Sequence, residues 1–166
     1  MRDHPPATPG AAPMISVGSS APDFTLPNQR GTAVTLSQLR GNPAVLIFFP
    51  FAFSPVCTSE LCYLQDHPEV FEMSNAKVLG ISTDSSFTLD AFARQESYDF
   101  ELLSDFWPHG DVSRRFGVLS EDGGYAKRQT FVLDSQGVIV DAFESEVTEP
   151  RQLERLEQAL AQLEQH

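Results

Sequence analysis

The sequence predicts an α/β sandwich, a largely buried sheet with helices on its faces, and three observations carry that prediction. Ala44 to Phe49 is a continuous apolar run of strand length, as is the run within Lys77 to Thr83 (Val78, Leu79, Ile81), the pattern of strands covered on both faces. Each run is followed by a helix-start signal, Ser54-Pro55 in the first case and Asp84-Ser85-Ser86 in the second. Strand and helix therefore alternate, which implies a parallel pair joined by a right-handed crossover. Near the end, Thr130 to Leu133 and Val138 to Phe143 flank the turn residues Asp134-Ser135-Gln136-Gly137 and form the clearest hairpin in the chain.

The elements follow in order. Residues 1–13 hold four prolines and no hydrophobic periodicity, so a disordered leader is expected there, with a single domain over 14–166. Phe24 to Leu26 and Ala33 to Leu36 are short strands split by Asn28-Gln29-Arg30-Gly31, an N-terminal hairpin. Ser37 to Arg40 makes one helical turn ended by Gly41. Pro50 stops the apolar strand by removing a ladder donor, and a helix runs from Pro55 with Leu61, Leu64, Val70 and Phe71 as its apolar stripe. His67-Pro68 is expected to kink or restart it. The helix after Asp84-Ser85-Ser86 has Phe87, Leu89, Phe92 and Ala93 as its apolar residues. Leu102-Leu103 is a short strand, and Asp111 to Phe116 a short helix stopped at Gly117. An amphipathic helix from Pro150 to about Gln165 aligns Leu153, Leu156, Leu160 and Leu163 on one stripe.

Composition bounds the function. A chain of 166 residues, 41% hydrophobic, is one globular domain by size, able to bury a core without staples. Two cysteines cannot form a disulfide scaffold, and no segment reads as a signal peptide or a membrane span, so a soluble protein of the reducing cytoplasm is expected. The formal net charge of −12 argues against nucleic acid and anionic membranes as partners. Metal binding is not expected. Cys57 and Cys62 are not spaced as C-x2-C, and His4, His67, His109 and His166 lack ligand spacing.

Both cysteines lie in the stretch that begins where the apolar strand ends. With Ser54 as N-cap and Pro55 at the first helical position, Cys57 falls in the first turn of the helix. There the free backbone N–H groups and the helix dipole favour a thiolate. The dipole alone supplies at most ~2 kcal/mol, about 1.5 pK units, so a second donor is required to bring a thiol near pKa ~8.5 well below neutrality.

The spacing Pro50-x-x-x-Ser54-x-x-Cys57, with Glu60 three residues on, resembles the active-site motif of the peroxiredoxins. The resemblance extends to Ala21-Pro22-Asp23-Phe24-Thr25-Leu26, to Leu102-Leu103-Ser104-Asp105-Phe106-Trp107-Pro108-His109-Gly110 and to Arg128-Gln129-Thr130-Phe131-Val132-Leu133-Asp134, and so covers about residues 15 to 164. The middle block is most similar to the alkyl hydroperoxide reductase E branch. Cys62, five residues after Cys57, stands where many members of the bacterioferritin-comigratory, or Q-type, branch carry their second cysteine. The resemblance implies a thioredoxin-like three-layer sandwich with an extra N-terminal β-hairpin, which the element order also suits. It implies a thiol-dependent peroxidase acting on hydrogen peroxide and organic hydroperoxides, with Cys57 as peroxidatic nucleophile and no cofactor.

Other roles follow from the same likeness. Arg128 stands where the family's active-site arginine falls, and its planar fork suits a thiolate and the peroxide oxygens together; Lys127 beside it is the competitor. Ser54 offers a hydroxyl where the family more often uses threonine. Glu60 is either a dipole partner near the helix start or an orienter of Arg128. Phe49, Phe51, Phe53 and Trp107 read as core, and only the resemblance makes them a shield against water.

The second cysteine leaves two readings open. Five residues of regular helix separate the thiols by ~7.5 Å of rise and about 140° of rotation, so a Cys57–Cys62 disulfide requires the first turns to unwind. Alternatively Cys62 is a core cysteine on the Leu61 and Leu64 side, and an external thiol resolves Cys57. A non-peroxidase thiol-disulfide or redox-sensing protein is the remaining alternative. The reductant is thioredoxin, a glutaredoxin-like protein or a low-molecular-weight thiol, and a homodimer is expected. No cysteine follows Cys62, which excludes a C-terminal resolving arm.

Overall fold

The computed structural model describes the backbone of residues 14–72, 74–144 and 150–164, and the side chains of the same residues except 56, 57, 59, 60, 150–153 and 164. The expected leader over residues 1–13 lies outside them.

Five strands form the central sheet: β3 (Ala44–Phe48), β4 (Lys77–Ser82), β5 (Glu101–Ser104), β8 (Gln129–Leu133) and β9 (Ile139–Glu144), in the order β5-β4-β3-β8-β9. The pairs β3/β4 and β4/β5 are parallel, whereas β8 runs antiparallel to both β3 and β9. All five residues of β3 are buried, the reason its sequence is apolar without alternation. The hairpin β1 (Thr25–Pro27) and β2 (Ala33–Thr35) precedes the sheet, and a 3-10 turn over Leu36–Leu39 leads into β3. Between β8 and β9, Asp134 Oδ1 accepts from Gln136 N and Val138 N, and Gly137 takes the left-handed φ of 83° that closes the turn.

Side-chain alternation along β3 divides the core in two. Val45 and Ile47 face helices α1 (Pro55–Gln65), α2 (Glu69–Glu72), α3 (Ser86–Glu96) and α5 (Pro150–Glu164), where Leu61, Leu64, Phe71, Leu89, Phe92, Leu156 and Leu160 pack. Ala44, Leu46 and Phe48 face the N-terminal hairpin and α4 (Asp111–Arg115), with Phe116 and Phe131 at the centre of a three-ring cluster around Phe48. Helices, sheet and an opposite layer of helix plus hairpin make the three-layer sandwich that the element order predicts. On α5, Leu156 and Leu160 are buried and Leu163 half-buried against the core; the side chain of Leu153 lies outside the described residues.

Two expectations are corrected, and a third feature was not expected. Phe87 is 88% exposed, because the core-facing side of α3 is set by Leu89, Phe92 and Ala93, and one residue at the helix start falls outside that stripe. Phe51, Phe53 and Trp107 are likewise exposed rather than core; of the four aromatic side chains read as interior, Phe49 alone is buried. The third concerns a small hairpin that was not anticipated: β6 (Leu119–Ser120) pairs with β7 (Tyr125–Ala126) across Glu121-Asp122-Gly123-Gly124. Two-residue strands carry no readable alternation.

Candidate active site

The carboxyl end of β3 is where the chain leaves the centre of the sheet, a position at which α/β sheets commonly host ligands. Phe49 N still donates to Ile81 O at 3.0 Å, and buried Pro50 then ends the ladder. The chain turns through Phe51 to Ser54. Phe53 adopts φ 69°, a left-handed conformation that costs a bulky L-residue on the order of 1–2 kcal/mol and is retained where surroundings enforce it. Here its ring packs on Phe92, centroids 5.0 Å apart. Ser54 N and Ser54 Oγ both donate to Phe51 O, at 3.4 and 3.1 Å, and Ser54 O accepts the first helical bond from Thr58 N at 2.9 Å. That carbonyl geometry is what an N-cap residue provides.

Helix α1 begins at Pro55, as expected, so the backbone of Cys57 is in its first turn and that of Glu60 in its second. The side chains of Cys57 and Glu60 lie outside the described residues. His67 and Pro68 end the helix, and α2 restarts at Glu69.

The turn before α1 is tied to the sheet by a residue not singled out for that role. Asp84, the first residue of the expected cap segment Asp84-Ser85-Ser86, points back: its Oδ2 accepts from Ala52 N and from Ser82 Oγ, both at 2.8 Å. The cap of α3 is Ser85, whose Oγ accepts from Thr88 N at 3.2 Å. Ser104 Oγ donates to Asp84 O at 2.6 Å, linking β5 to the same corner. A buried carboxylate, Asp105, accepts from Val112 N, Ser113 N and Ser113 Oγ at 2.8–3.1 Å. Burial raises its pKa against the pull of these donors.

Arg128 immediately precedes β8. Because Gln129 pairs with Phe48, extending the antiparallel register by one residue sets Arg128 beside Phe49, at the start of the turn that leads to Cys57. It is half-buried and its Nε is fully enclosed, whereas Lys127 is exposed and donates its backbone N–H to Val118 O. The sheet thus brings Arg128, Pro50 and the head of α1 to one rim. On the same rim the Phe51 ring lies 5.1 Å from that of Tyr125.

Cys62 sits one turn further along α1 as a free, half-buried thiol at the edge of the helix-side core. Its Sγ donates to Glu96 Oε1 at 3.4 Å and lies 3.4 Å from Tyr98 Oη. Burial pushes its pKa above the ordinary thiol value; a hydrogen bond with Tyr98 pulls it down, and Glu96 and Asp66 push it further up. Among the described residues no cluster of three His, Cys, Asp or Glu could hold a metal ion, and no helix is long and apolar enough to cross a membrane.

Residues 17–142 match the AhpC/TSA family. This chain belongs to that family. It is 47% identical over 127 residues to the alkyl hydroperoxide reductase E of Mycobacterium tuberculosis, a match spanning 76% of this chain and 83% of the relative. It is 40% identical over 126 residues to the chloroplastic peroxiredoxin Q of Sedum lineare, spanning 75% of this chain and 67% of that protein. Among solved structures, the peroxidoxin BcpB of Mycobacterium tuberculosis superposes with a TM-score of 0.80 at 35% identity, covering 89% of this chain and 97% of BcpB. The AhpC/TSA likeness spans the segments with the two cysteines, Asp84 and Arg128 alike. Glu96 and Tyr98, and the role of Asp84 at the turn, escaped the sequence reading because each acts from more than 30 residues away.

Proposed function

We propose that Cys57 is the peroxidatic thiol of this chain and that Cys62 resolves it. The AhpC/TSA family and the peroxiredoxin relatives make the protein an oxidoreductase, a thiol-dependent peroxidase. In the first step the Cys57 thiolate attacks one peroxide oxygen, the O–O bond breaks, and the departing alkoxide or hydroxide takes a proton, leaving Cys57 sulfenic acid and an alcohol or water. The observation that carries the assignment is the backbone of Cys57 in the first turn of an eleven-residue helix at the carboxyl end of the central strand. There, backbone N–H groups and the dipole favour a thiolate. Arg128 is assigned the second donor, for thiolate and leaving oxygen; its enclosed Nε and the exposure of Lys127 favour it over its neighbour. Ser54 contributes a hydroxyl, Pro50 ends the strand that delivers the site, and Glu60 acts from the second turn on the dipole or on Arg128.

In the second step the Cys62 thiol attacks the Cys57 sulfur and water leaves, giving an intramolecular disulfide. This requires α1 to unwind from Pro55 to about Leu64, for the two positions diverge on an intact helix. A dithiol donor, thioredoxin or a glutaredoxin-like protein, then reduces the disulfide. A second reading, direct resolution of Cys57 by a low-molecular-weight thiol, is favoured by the hold of Glu96 and Tyr98 on Cys62. We assign the protein to the cytoplasm and expect a homodimer.

Mass analysis after one equivalent of peroxide tests the scheme. The unaltered protein is expected to lose two hydrogens as an internal disulfide, Cys62→Ser to stop at sulfenic acid after an equally fast first step, and Cys57→Ser to consume no peroxide. Undiminished peroxide consumption by Cys57→Ser would overturn the assignment; persistent sulfenic acid with an unchanged far-UV helix signal in the unaltered protein would select the one-cysteine reading.

A further inference from the structure

The hold on Cys62 is built by the segment that ends α3. Ser97 caps that helix in a left-handed conformation (φ 58°, ψ 44°), and the next residue, Tyr98, is turned into the core, 7% exposed. Its ring is fixed edge-on against Phe92 at 5.2 Å and stacked on Phe100 at 5.1 Å, so its hydroxyl has little freedom of aim. That hydroxyl donates to Thr58 O at 3.2 Å and touches Cys62 Sγ at 3.4 Å. Thr58 and Cys62 are four residues apart, facing one another across successive turns of α1. One hydroxyl therefore contacts two successive turns within the segment that must unwind for the disulfide to form. Glu96, two residues earlier, accepts the Cys62 thiol proton, and its other oxygen is held by Gln95 Nε2 at 3.1 Å.

Building on the two-cysteine cycle proposed above, we infer that Tyr98, assisted by Glu96, is a positioning residue for resolution. The pair latches the first turns of α1 and sets how long the Cys57 sulfenic acid waits before Cys62 reaches it. While the latch is closed, Cys62 stays a thiol bonded to Glu96 on a face of the helix turned away from Cys57. Burial and the Glu96 charge act in the same sense, since both disfavour the thiolate that would attack. When α1 unwinds, Thr58 O leaves the Tyr98 hydroxyl and Cys62 leaves Glu96. The thiol then attacks the Cys57 sulfur, the S–O bond breaks and water departs. A closed latch leaves time for a second peroxide to oxidise the sulfenic acid to sulfinic acid, yielding a second molecule of alcohol or water. The latch thus sets the partition between turnover and inactivation without touching the first oxidation.

The test uses the full chain. Tyr98→Phe keeps the ring and removes the hydroxyl, while Glu96→Gln keeps an acceptor and removes the charge. After one equivalent of hydrogen peroxide, acid quench, alkylation and mass analysis, Tyr98→Phe should form the disulfide about three- to tenfold faster, the effect of one ordinary hydrogen bond, with Glu96→Gln between it and the unaltered protein. The fraction converted to sulfinic acid per turnover at high peroxide should fall by the same factor, and the second-order rate of Cys57 oxidation should not change. Amide hydrogen exchange over residues 58–62 of the reduced protein should accelerate in parallel. Disulfide formation at the unaltered rate in Tyr98→Phe, or exchange over 58–62 that does not accelerate, overturns the latch alone. Absence of any internal disulfide in the unaltered protein overturns the two-cysteine cycle and the latch with it.

Discussion

Replacing Asp84 with alanine removes a side chain that ties the turn before Cys57 to the sheet. Its Oδ2 accepts two hydrogen bonds at 2.8 Å, from Ala52 N in the turn and from Ser82 Oγ at the end of β4. Hydrogen bonds to a charged group contribute about 1.5–3 kcal/mol each when enclosed. Asp84 is half-exposed, so water takes over part of both, and the expected loss is about 1.5–3 kcal/mol in total. For a chain of this size that lowers Tm by about 3–12 °C. The turn sets the direction in which α1 starts, so the first oxidation should slow by about tenfold, equivalent to ~1.4 kcal/mol of lost positioning. Asp84→Asn retains an amide oxygen for Ala52 N and should lose less than half as much in both measurements. Differential scanning calorimetry and stopped-flow oxidation by hydrogen peroxide, run on the same preparations, check both numbers. An alanine variant that melts within 1 °C of the unaltered protein and oxidises at its rate would refute the reasoning, as would an asparagine variant more damaged than the alanine one.

Arg128→Ala is expected to raise the pKa of Cys57 and to slow its oxidation by about 10² to 10³, the usual effect of a missing oxyanion donor, and an unchanged pH–rate profile would move the role to another cation. Disulfide formation should gain from the loss of the hold on Cys62 as pH rises above about 9. Cys62 is held above the ordinary thiol value of 9.0 in wound α1 and returns to it on unwinding, so the wound state keeps its full advantage below that value and loses it as pH rises through the raised one. Rapid-quench mass analysis from pH 7 to 10 reads this, and a flat or falling profile would contradict it. Asp105→Ala should destabilise the fold by about 2–4 kcal/mol in urea unfolding, because three buried donors on Val112 and Ser113 lose their acceptor.

What the sequence by itself determined is whatever depends on residues within one or two turns of each other. The apolar run closed by Pro50 specifies a buried strand, since proline removes a ladder donor wherever the sheet lies. Ser54 and Pro55 specify the start of α1, and hence the turn in which Cys57 falls, through local hydrogen bonding and a preset φ. The hairpin of β8 and β9 was legible from Asp134 and Gly137 for the same reason. The tertiary structure decided which groups meet those elements. Nothing near Cys62 announces Glu96 or Tyr98, 34 and 36 residues later, because their meeting depends on how α3 crosses back over the sheet. Asp84 reads as part of a helix-cap segment until the parallel register of β3 and β4 brings it under Ala52. Arg128 is preferred to Lys127 along the chain by the resemblance and its planar fork. The antiparallel register of β3 and β8 adds what the sequence could not, that Arg128 lies beside Phe49 with its Nε enclosed while Lys127 is exposed. The exposure of Phe87 and Trp107 has the same origin: hydrophobicity says that a side chain favours an interior, but the packing of the layers says whether there is one for it to enter.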